Sequence, residues 1–187
     1  MNTERDTVVR IVTDSSCDLP VETLKKYGIP FASLNIFVDD MTFKEDIDIT
    51  PEEFWRLMGK SRELPKTSQP SLADFAEIFE DIQKKGETPL CITISSKLSG
   101  TYQSAILGAE MSGGKAIVFD SLAGSISHGI QVLIAARMAE SGAELDKIVV
   151  ALEEYRENVK IIIPLATVEN IVKAAVLANS RVAWLTY

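Results

Sequence analysis

The sequence predicts an α/β protein whose parallel sheet is covered by helices on both faces. Apolar runs rich in β-branched residues at 8–12, 90–94 and 116–119 are each followed by a polar loop and a stretch with helical spacing. Wholly apolar strands that alternate with helices of about ten to fifteen residues are typical of such sheets. We therefore expect a three-layer α/β domain.

Turn and capping residues divide the first half of the chain into elements. The predicted strands are 8–12 and 29–38, with a short hairpin arm at 41–44 after the turn pair Asp39-Asp40. The predicted helices are 20–28, 51–59 and 72–85. The second and third helices each begin with a capping hydroxyl and an acidic residue three positions later. Two prolines exclude a helix from 64–70, which we expect to be an ordered loop.

The second half continues the alternation of strands and helices. The predicted strands are 90–94 and 116–119, and the predicted helices are 102–111, an alanine-rich helix that ends at Glu140, and 144–157. The segment 158–187 starts again with a strand at 161–165, a helix after Thr167 and a strand at 181–187. We interpret 8–157 as one domain, and 158–187 as either its final βαβ edge or the truncated start of a second α/β domain.

Charge and hydropathy exclude several classes of function. With 19 basic and 27 acidic residues the formal net charge is −8, so nucleic acids are repelled on average. Apolar runs such as Ile161-Ile162-Ile163 are far shorter than the roughly 20 residues of a membrane span, and the polar first residues do not resemble a signal peptide. We expect a cytoplasmic protein without stable membrane insertion.

The two cysteines do not predict a metal site. Cys17 and Cys91 lack CxxC spacing, and no histidine cluster lies near them. Buried free thiols in a reducing compartment are the better interpretation.

Polar loops at the carboxyl ends of the predicted strands form the expected binding edge of such a sheet. The loop 95–101 places four hydroxyls and a glycine before a helix, where hydroxyls and free backbone N–H groups favour an anion. Capping of that helix by Ser99 or Thr101 explains the same residues. A nucleotide is disfavoured as the ligand because neither a Walker A lysine pattern nor GxGxxG is present.

Two further polar segments have both a binding and a structural interpretation. Thr67, Ser68 and Gln69 lie between two prolines, where a stiff backbone either holds hydroxyls toward a ligand or terminates one helix and caps the next. Asp14, at the end of the first strand, either binds a ligand hydroxyl or stabilises its own turn. The sequence leaves both pairs of interpretations open.

An enzymatic alternative uses the single histidine of the chain. His128, a serine of the loop 95–99 and either Asp14 or Asp120 have the composition of a Ser-His-Asp triad. A small serine hydrolase acting on acyl esters is one alternative function, although the GxSxG elbow is absent. An interaction module that binds no small molecule is the other.

Three segments closely resemble motifs of the DegV family of bacterial fatty-acid-binding proteins. They are Thr13-Asp14-Ser15-Ser16-Cys17-Asp18-Leu19, Thr67-Ser68-Gln69-Pro70-Ser71, and the run from Ser95-Ser96-Lys97-Leu98-Ser99-Gly100-Thr101 to Ala105. The resemblance extends from Val8 to about Ala175. It implies a carrier without catalytic residues or cofactor, which holds the tail of a long-chain fatty acid in a tunnel of a DegV-like N-terminal domain. A partner fatty-acid kinase would then phosphorylate the carboxyl group.

The resemblance also implies site residues. Thr67 and Ser99 would hydrogen-bond the fatty-acid carboxyl group. Additional loop contacts are expected from Ser68, Ser95, Ser96, Gly100, Thr101, Asp14 and Ser121. Six apolar residues are candidates for the lining of the tunnel, although each can also be an ordinary residue of the hydrophobic core. They are Ile94, Leu98, Ile106, Phe119, Phe54 and Phe75.

The chain departs from the family pattern after Thr167-Val168-Glu169. Family members continue with a glycine-glycine-arginine turn and a longer second domain, whereas this chain has Lys173-Ala174-Ala175-Val176-Leu177 and ends at Tyr187. We therefore expect the basic and histidine contacts of that second domain to be missing. His128 stands where the family has a small residue, so it is not assigned the role of the family's ligand histidine.

Overall fold

The computed structural model describes residues 8–160 and residue 162. Its strands are β1 (Val9–Asp14), β2 (Phe31–Ala32), β3 (Asn35–Val38), β4 (Met41–Lys44), β5 (Lys66–Ser68), β6 (Thr88–Thr93) and β7 (Ile117–Asp120). Its helices are α1 (Val21–Lys26), α2 (Pro51–Met58), α3 (Leu72–Lys84), α4 (Thr101–Met111), α5 (Ser125–Glu140) and α6 (Leu145–Asn158). A single turn of 3-10 helix, Ser15–Cys17, follows β1.

A parallel sheet in the order β2-β1-β6-β7 forms the centre of the molecule. Along β1 and β6, successive side chains point to opposite faces, so the register that pairs Ile11 with Leu90 also pairs Val12 with Cys91. Ile11 and Leu90 belong to one buried cluster, and Val12 and Cys91 to another. The sheet is therefore covered on both faces, which confirms the predicted fold class.

Helices form the two outer layers. On one face α1, α5 and α6 bury Leu24, Val132, Ala135, Ile148 and Leu152 against the sheet. On the other face α3 and α4 bury Phe75, Phe79, Ile82, Ala105 and Ala109. The boxes that were predicted to cap α2 and α3 are both present, since Thr50 and Ser71 exchange hydrogen bonds with Glu53 and Asp74 respectively.

A second, smaller sheet lies beside the first and corrects two sequence expectations. It is antiparallel in the order β4-β3-β5, and the predicted hairpin arm is β4. The predicted single strand 29–38 is divided, because β2 joins the parallel sheet and β3 joins the small one. The predicted loop 64–70 contains β5, whose side chains are all exposed. β5 is held by backbone hydrogen bonds to β3 and not by burial of its side chains. Its sequence therefore shows no apolar pattern.

The small sheet has its own apolar cluster. Ile36, Val38 and Ile49 are buried there, and Phe54 and Leu57 of α2 pack against them. Lys44 of β4 reaches Asp74 at the start of α3 with an Nζ–Oδ1 distance of 3.0 Å. This ion pair connects the small sheet to the first turn of α3.

Several predicted elements fall outside the described residues. These are the strand at 161–165, the helix after Thr167 and the strand at 181–187. Within the part of the chain that is described, no helix combines the length and the apolar character needed to cross a bilayer.

The two helices on the α3 face approach each other closely at Gly108. An alanine Cβ at that position would lie 2.7 Å from the Cβ of Phe75 and 2.8 Å from the carbonyl oxygen of Leu72. These atoms are fixed by the backbone of α3, so added volume would force the helices apart.

We expect Gly108→Ala to lower the free energy of unfolding by about 1–3 kcal/mol, measured by urea denaturation. Gly59→Ala is the matched control, because its Cβ would lie 3.5 Å from the nearest atom, the carbonyl oxygen of Trp55. The control should change the free energy of unfolding by less than about 0.5 kcal/mol. A Gly108→Ala protein as stable as the wild type would contradict the close approach.

An ion pair joins the first strand to the segment that enters β6. Arg10 donates from Nε and Nη2 to the two carboxylate oxygens of Glu87, at 2.9 and 2.8 Å. This two-point hydrogen bonding lowers the pKa of Glu87. Because the folded-state pKa is lowered, the pair stabilises the fold above the ordinary pKa of a glutamate and loses that contribution as the pH falls through the lowered pKa.

We expect Glu87→Gln to lower the free energy of unfolding by about 0.5–1 kcal/mol at pH 7, and the difference from wild type to vanish in acid. Urea denaturation across a pH series measures both. Glu63→Gln is the control, because Glu63 and its partner Lys66 are about three-quarters exposed, at 75% and 76%. A loss that is the same at every pH would show that the charge of Glu87 is not responsible.

Candidate functional site

The loops that follow β1, β6 and β7 meet at one edge of the parallel sheet. The Asp14 carboxylate accepts a hydrogen bond from the Ile94 N–H group at 2.9 Å, which joins the end of β1 to the end of β6. The Asp120 carboxylate accepts one from the Ser96 N–H group at 3.1 Å, which joins β7 to the same loop. The convergence that parallel strands predict is therefore present at this edge.

Asp14 is completely buried and its carboxylate is occupied by protein donors. Besides Ile94, it accepts hydrogen bonds from the N–H group of Ser16 at 3.1 Å and from the Ser16 hydroxyl. It thereby caps the 3-10 helix that follows β1. This geometry favours the interpretation in which Asp14 stabilises its own turn.

Three of the expected loop contacts are also buried. Ser95 accepts from the Lys97 N–H group at 3.2 Å, and Ser121 accepts from the Ala123 N–H group at 3.1 Å. Thr101 begins α4 and is fully buried. Ser96 is exposed, and Ser99 and Gly100 are half-buried. The accessible part of the loop is therefore the segment around Ser96 and Ser99.

Ser99 lies just before α4 and hydrogen-bonds with Thr101, the first residue of that helix. Its Oγ accepts from the Thr101 N–H group at 3.3 Å and lies 2.9 Å from the Thr101 hydroxyl oxygen. A hydroxyl offers one donor and two acceptor positions, so one position remains for another group. The N-cap position of α4 is occupied by Gly100, without a side-chain cap, rather than by Ser99 or Thr101. A contact of Ser99 with a ligand stays a prediction.

Thr67 lies on the exposed strand β5, opposite Ile36 of β3. The next residue, Ser68, accepts a hydrogen bond at Oγ from Nδ2 of Asn35 at 3.2 Å. Thr67 and Ser68 therefore stand on a paired strand, and Thr67 is exposed. Its predicted contact with a carboxyl group remains a prediction as well.

Gln69 connects the segment of Thr67 with the segment of Ser99. Its Nε2 donates to Oγ of Ser104 on α4 at 3.3 Å. Its carboxamide also occupies the space where a side chain on Gly100 would lie, since an ideal Cβ there would come within 2.8 Å of the Gln69 Cδ. Residue spacing alone did not predict a contact of Gln69 with α4. The one sequence feature that could have indicated this contact is Gly100, where the absence of a side chain leaves room for Gln69.

A cavity of about 860 Å³ lies beside Thr67, bordered by the start of α1, the loop 45–50 and α2. Its apolar lining includes Leu19, Ile36, Ile49, Phe54 and Trp55. Its acidic lining consists of Asp18, Glu22, Glu45, Asp46, Asp48, Glu52 and Glu53. Burial raises the pKa of Glu45 and Asp46, and neighbouring carboxylates add to the effect. This acidic cavity was not predicted from the sequence, because its carboxylates come from separate segments of the chain.

The tunnel candidates lie in different environments. Phe75 and Phe119 are core residues of the two sides of the sheet. Phe54 borders the acidic cavity, whereas Leu98 is 53% exposed. Ile94 and Ile106 are half-buried. Their joint role as the lining of one tunnel stays a prediction.

His128 is a buried residue of α5 that faces the parallel sheet. Its contacts do not match the role that the hydrolase alternative requires. Its Nε2 lies 3.0 Å from the carbonyl oxygen of Ile92 and 3.1 Å from the Thr13 hydroxyl oxygen. Because a carbonyl oxygen can only accept, we assign the ring hydrogen to Nε2. In the described part of the chain, the hydrogen bonds of His128 go to β1 and β6 and none goes to a serine of the loop 95–99.

The cysteines and acidic residues provide no metal centre in the described part of the chain. Cys17 and Cys91 are both free and buried. Burial raises the pKa of the Cys17 thiol to about 12, so this thiol is protonated at neutral pH and is a poor nucleophile.

We expect truncation of Asp14 and truncation of Thr67 to have very different effects on the free energy of unfolding. Asp14→Ala should lower the free energy of unfolding by about 2–4 kcal/mol, because the buried N–H groups of Ser16 and Ile94 lose their acceptor. Thr67→Ala should change it by less than about 0.5 kcal/mol, because the side chain is exposed. Urea denaturation of the two proteins measures the difference. Equal losses would contradict the division between structural and accessible polar residues.

Comparison of the sequence with known families gives one consistent result. The sequence profile of the DegV family, described as a family of uncharacterised proteins, matches residues 8–182. A DegV domain-containing protein of Streptococcus pneumoniae is 39% identical over 168 residues, which are 89% of this chain and 60% of that relative. The chain thus spans less than two thirds of the length of this relative.

Solved structures give the same result. A DegV family protein of Thermus thermophilus, described by its fatty acid binding, has a TM-score of 0.75 at 33% identity. DegV of Bacillus subtilis, described as a fatty acid binding protein, has a TM-score of 0.76 at 28% identity. Each similarity covers 81% of this chain and 54% of the other. The match of the profile to most of the chain, together with these similarities in sequence and fold, shows that the chain belongs to the DegV family.

Proposed function

We propose that this chain binds a long-chain fatty acid and presents its carboxyl group at the edge where the segments of Thr67 and Ser99 meet. The observation that carries the proposal is the contact of Gln69 with Gly100 and Ser104, which brings these two hydroxyl-bearing segments together. The solved relatives from Thermus thermophilus and Bacillus subtilis, both described as binding fatty acids, support the choice of ligand.

The hydroxyls of Thr67 and Ser99 supply orientation for the carboxyl group. Each can donate one hydrogen bond to a carboxylate oxygen, or accept one from the protonated acid. A poorly hydrated pocket raises the pKa of a carboxyl group, so the acid can be held in its neutral form. The seven carboxylates of the neighbouring cavity would repel a charged head group.

The acyl tail supplies most of the affinity. Burial of roughly fourteen methylenes contributes about 11 kcal/mol before the cost of association, at about 0.8 kcal/mol for each methylene. Two hydroxyl contacts contribute far less, of the order of 1 kcal/mol each. Removal of one hydroxyl should thus weaken binding and disturb the orientation of the head group without abolishing insertion of the tail.

The proposal includes a partner and a compartment. A carrier that leaves the carboxyl group accessible suits a partner fatty-acid kinase that phosphorylates it, and the carrier itself needs no cofactor. The two free cysteines agree with a reducing compartment, which supports a cytoplasmic location. The proposal assigns the chain no catalytic role.

We expect mass spectrometry of the protein, purified without removal of lipid, to detect a co-purifying long-chain fatty acid. Thr67→Ala and Ser99→Ala should each weaken the binding of a fluorescent fatty acid about fivefold, the effect of losing roughly one hydrogen bond. Thr42→Ala is the matched control, because Thr42 is an exposed strand threonine of the same small sheet. Unchanged binding in both variants would refute the carboxyl assignment, and a wild-type protein that binds no fatty acid would refute the function.

A further inference from the structure

We propose that Gln69 is a positioning residue that fixes the separation between the Thr67 and Ser99 hydroxyls. The inference rests on the proposed function, and it concerns a residue that has no assigned contact with the ligand. Thr67 belongs to the small antiparallel sheet, whereas Ser99 precedes the helix α4 that packs on the parallel sheet. Two hydroxyls on separate structural elements can serve one carboxyl group only if the distance between them is held.

The contacts of Gln69 provide that connection. Its side chain crosses from the end of β5 to α4, where Nε2 donates to the Ser104 hydroxyl oxygen. Ser104 is buried, with 7% exposure, so the acceptor belongs to the fixed part of the helix. On the other side, the Asn35 Nδ2 lies 3.5 Å from the Gln69 carbonyl oxygen and 3.2 Å from the Ser68 hydroxyl oxygen. The segment is therefore held both to β3 and to α4.

Gly100 shows that the space around the Gln69 carboxamide matters. The φ angle of Gly100 is −73°, a conformation that any residue adopts. The backbone therefore does not require a glycine at this position. An added Cβ would collide with the carboxamide of Gln69. Small size at position 100, directly after Ser99, is what allows Gln69 to reach Ser104.

The atoms that an added Cβ would meet belong to the side chain of Gln69, so a substitution at Gly100 can test the contact. Gln69 is exposed, and its carboxamide is the free end of a flexible side chain. Gly100→Ala should therefore displace Gln69 and leave the fold intact. Gln69→Ala removes the same connection directly, and Ser104→Ala removes its acceptor on α4.

We test the proposal with the full 187-residue chain, using displacement of a fluorescent fatty acid and the NMR signal of oleate labelled with ¹³C at its carboxyl carbon. Gln69→Ala and Gly100→Ala should each weaken binding about three- to tenfold, the range expected for loss of one hydrogen-bonded connection. Both should shift the carboxyl signal. Thermal unfolding should change little, which separates positioning from a loss of fold. If one of these variants fails to fold, Ser104→Ala carries the same expectation.

Two combinations of substitutions make the test specific. Gly100→Ala should have no further effect in the Gln69→Ala protein, because the collision is gone. Gln69→Ala should have no further effect when Thr67 and Ser99 are both alanine, because a positioning residue acts through the groups that it positions. A persisting effect there would overturn the proposal.

The failure of this inference can be told apart from the failure of the proposed function. A wild-type protein that binds fatty acid, together with a Gln69→Ala protein of unchanged affinity and unchanged carboxyl signal, would overturn the positioning role alone. A wild-type protein that binds no fatty acid would overturn both.

Discussion

Burial of both faces of the central strands is the constraint on which the rest of the structure depends. β1 and β6 alternate between the cluster that contains α5 and α6 and the cluster that contains α3 and α4. Polar groups in these strands would be enclosed by apolar side chains, so accessible polar groups are confined to the strand ends. The chemistry of the molecule is therefore expected at one edge, where the loops after β1, β6 and β7 converge.

At that edge, burial separates polar residues that look alike in the sequence. Asp14, Ser95 and Ser121 satisfy backbone N–H groups of the turns, which could otherwise not be enclosed without a large cost. Thr67 and Ser96, in contrast, are exposed. Side chains with the same hydroxyl group are thus enclosed in a turn at one position and exposed at another.

The fold could be predicted from the sequence wherever a local pattern has one physical cause. The caps of α2 and α3 could be recognised because a hydroxyl and an acidic residue exchange hydrogen bonds over three positions. β5 could not, because its three side chains are exposed and its partner β3 is distant in the chain. For the candidate site, motif similarity predicts Thr67 and Ser99, whose contact with a ligand stays a prediction. The contact of Gln69 with α4 could not be predicted, because it depends on how β5 and α4 are placed in the fold.

The acidic cavity constrains how such a site can work. Seven carboxylates line the cavity that also includes Thr67, and they make that side unfavourable for a negative head group because like charges repel. The side toward Ser99 has the opposite character, because the N-terminus of α4 carries a partial positive charge. A carboxyl group between the two hydroxyls would experience this gradient and turn toward α4. Under the proposed function, electrostatics therefore favours an acid end that faces the loop after β6.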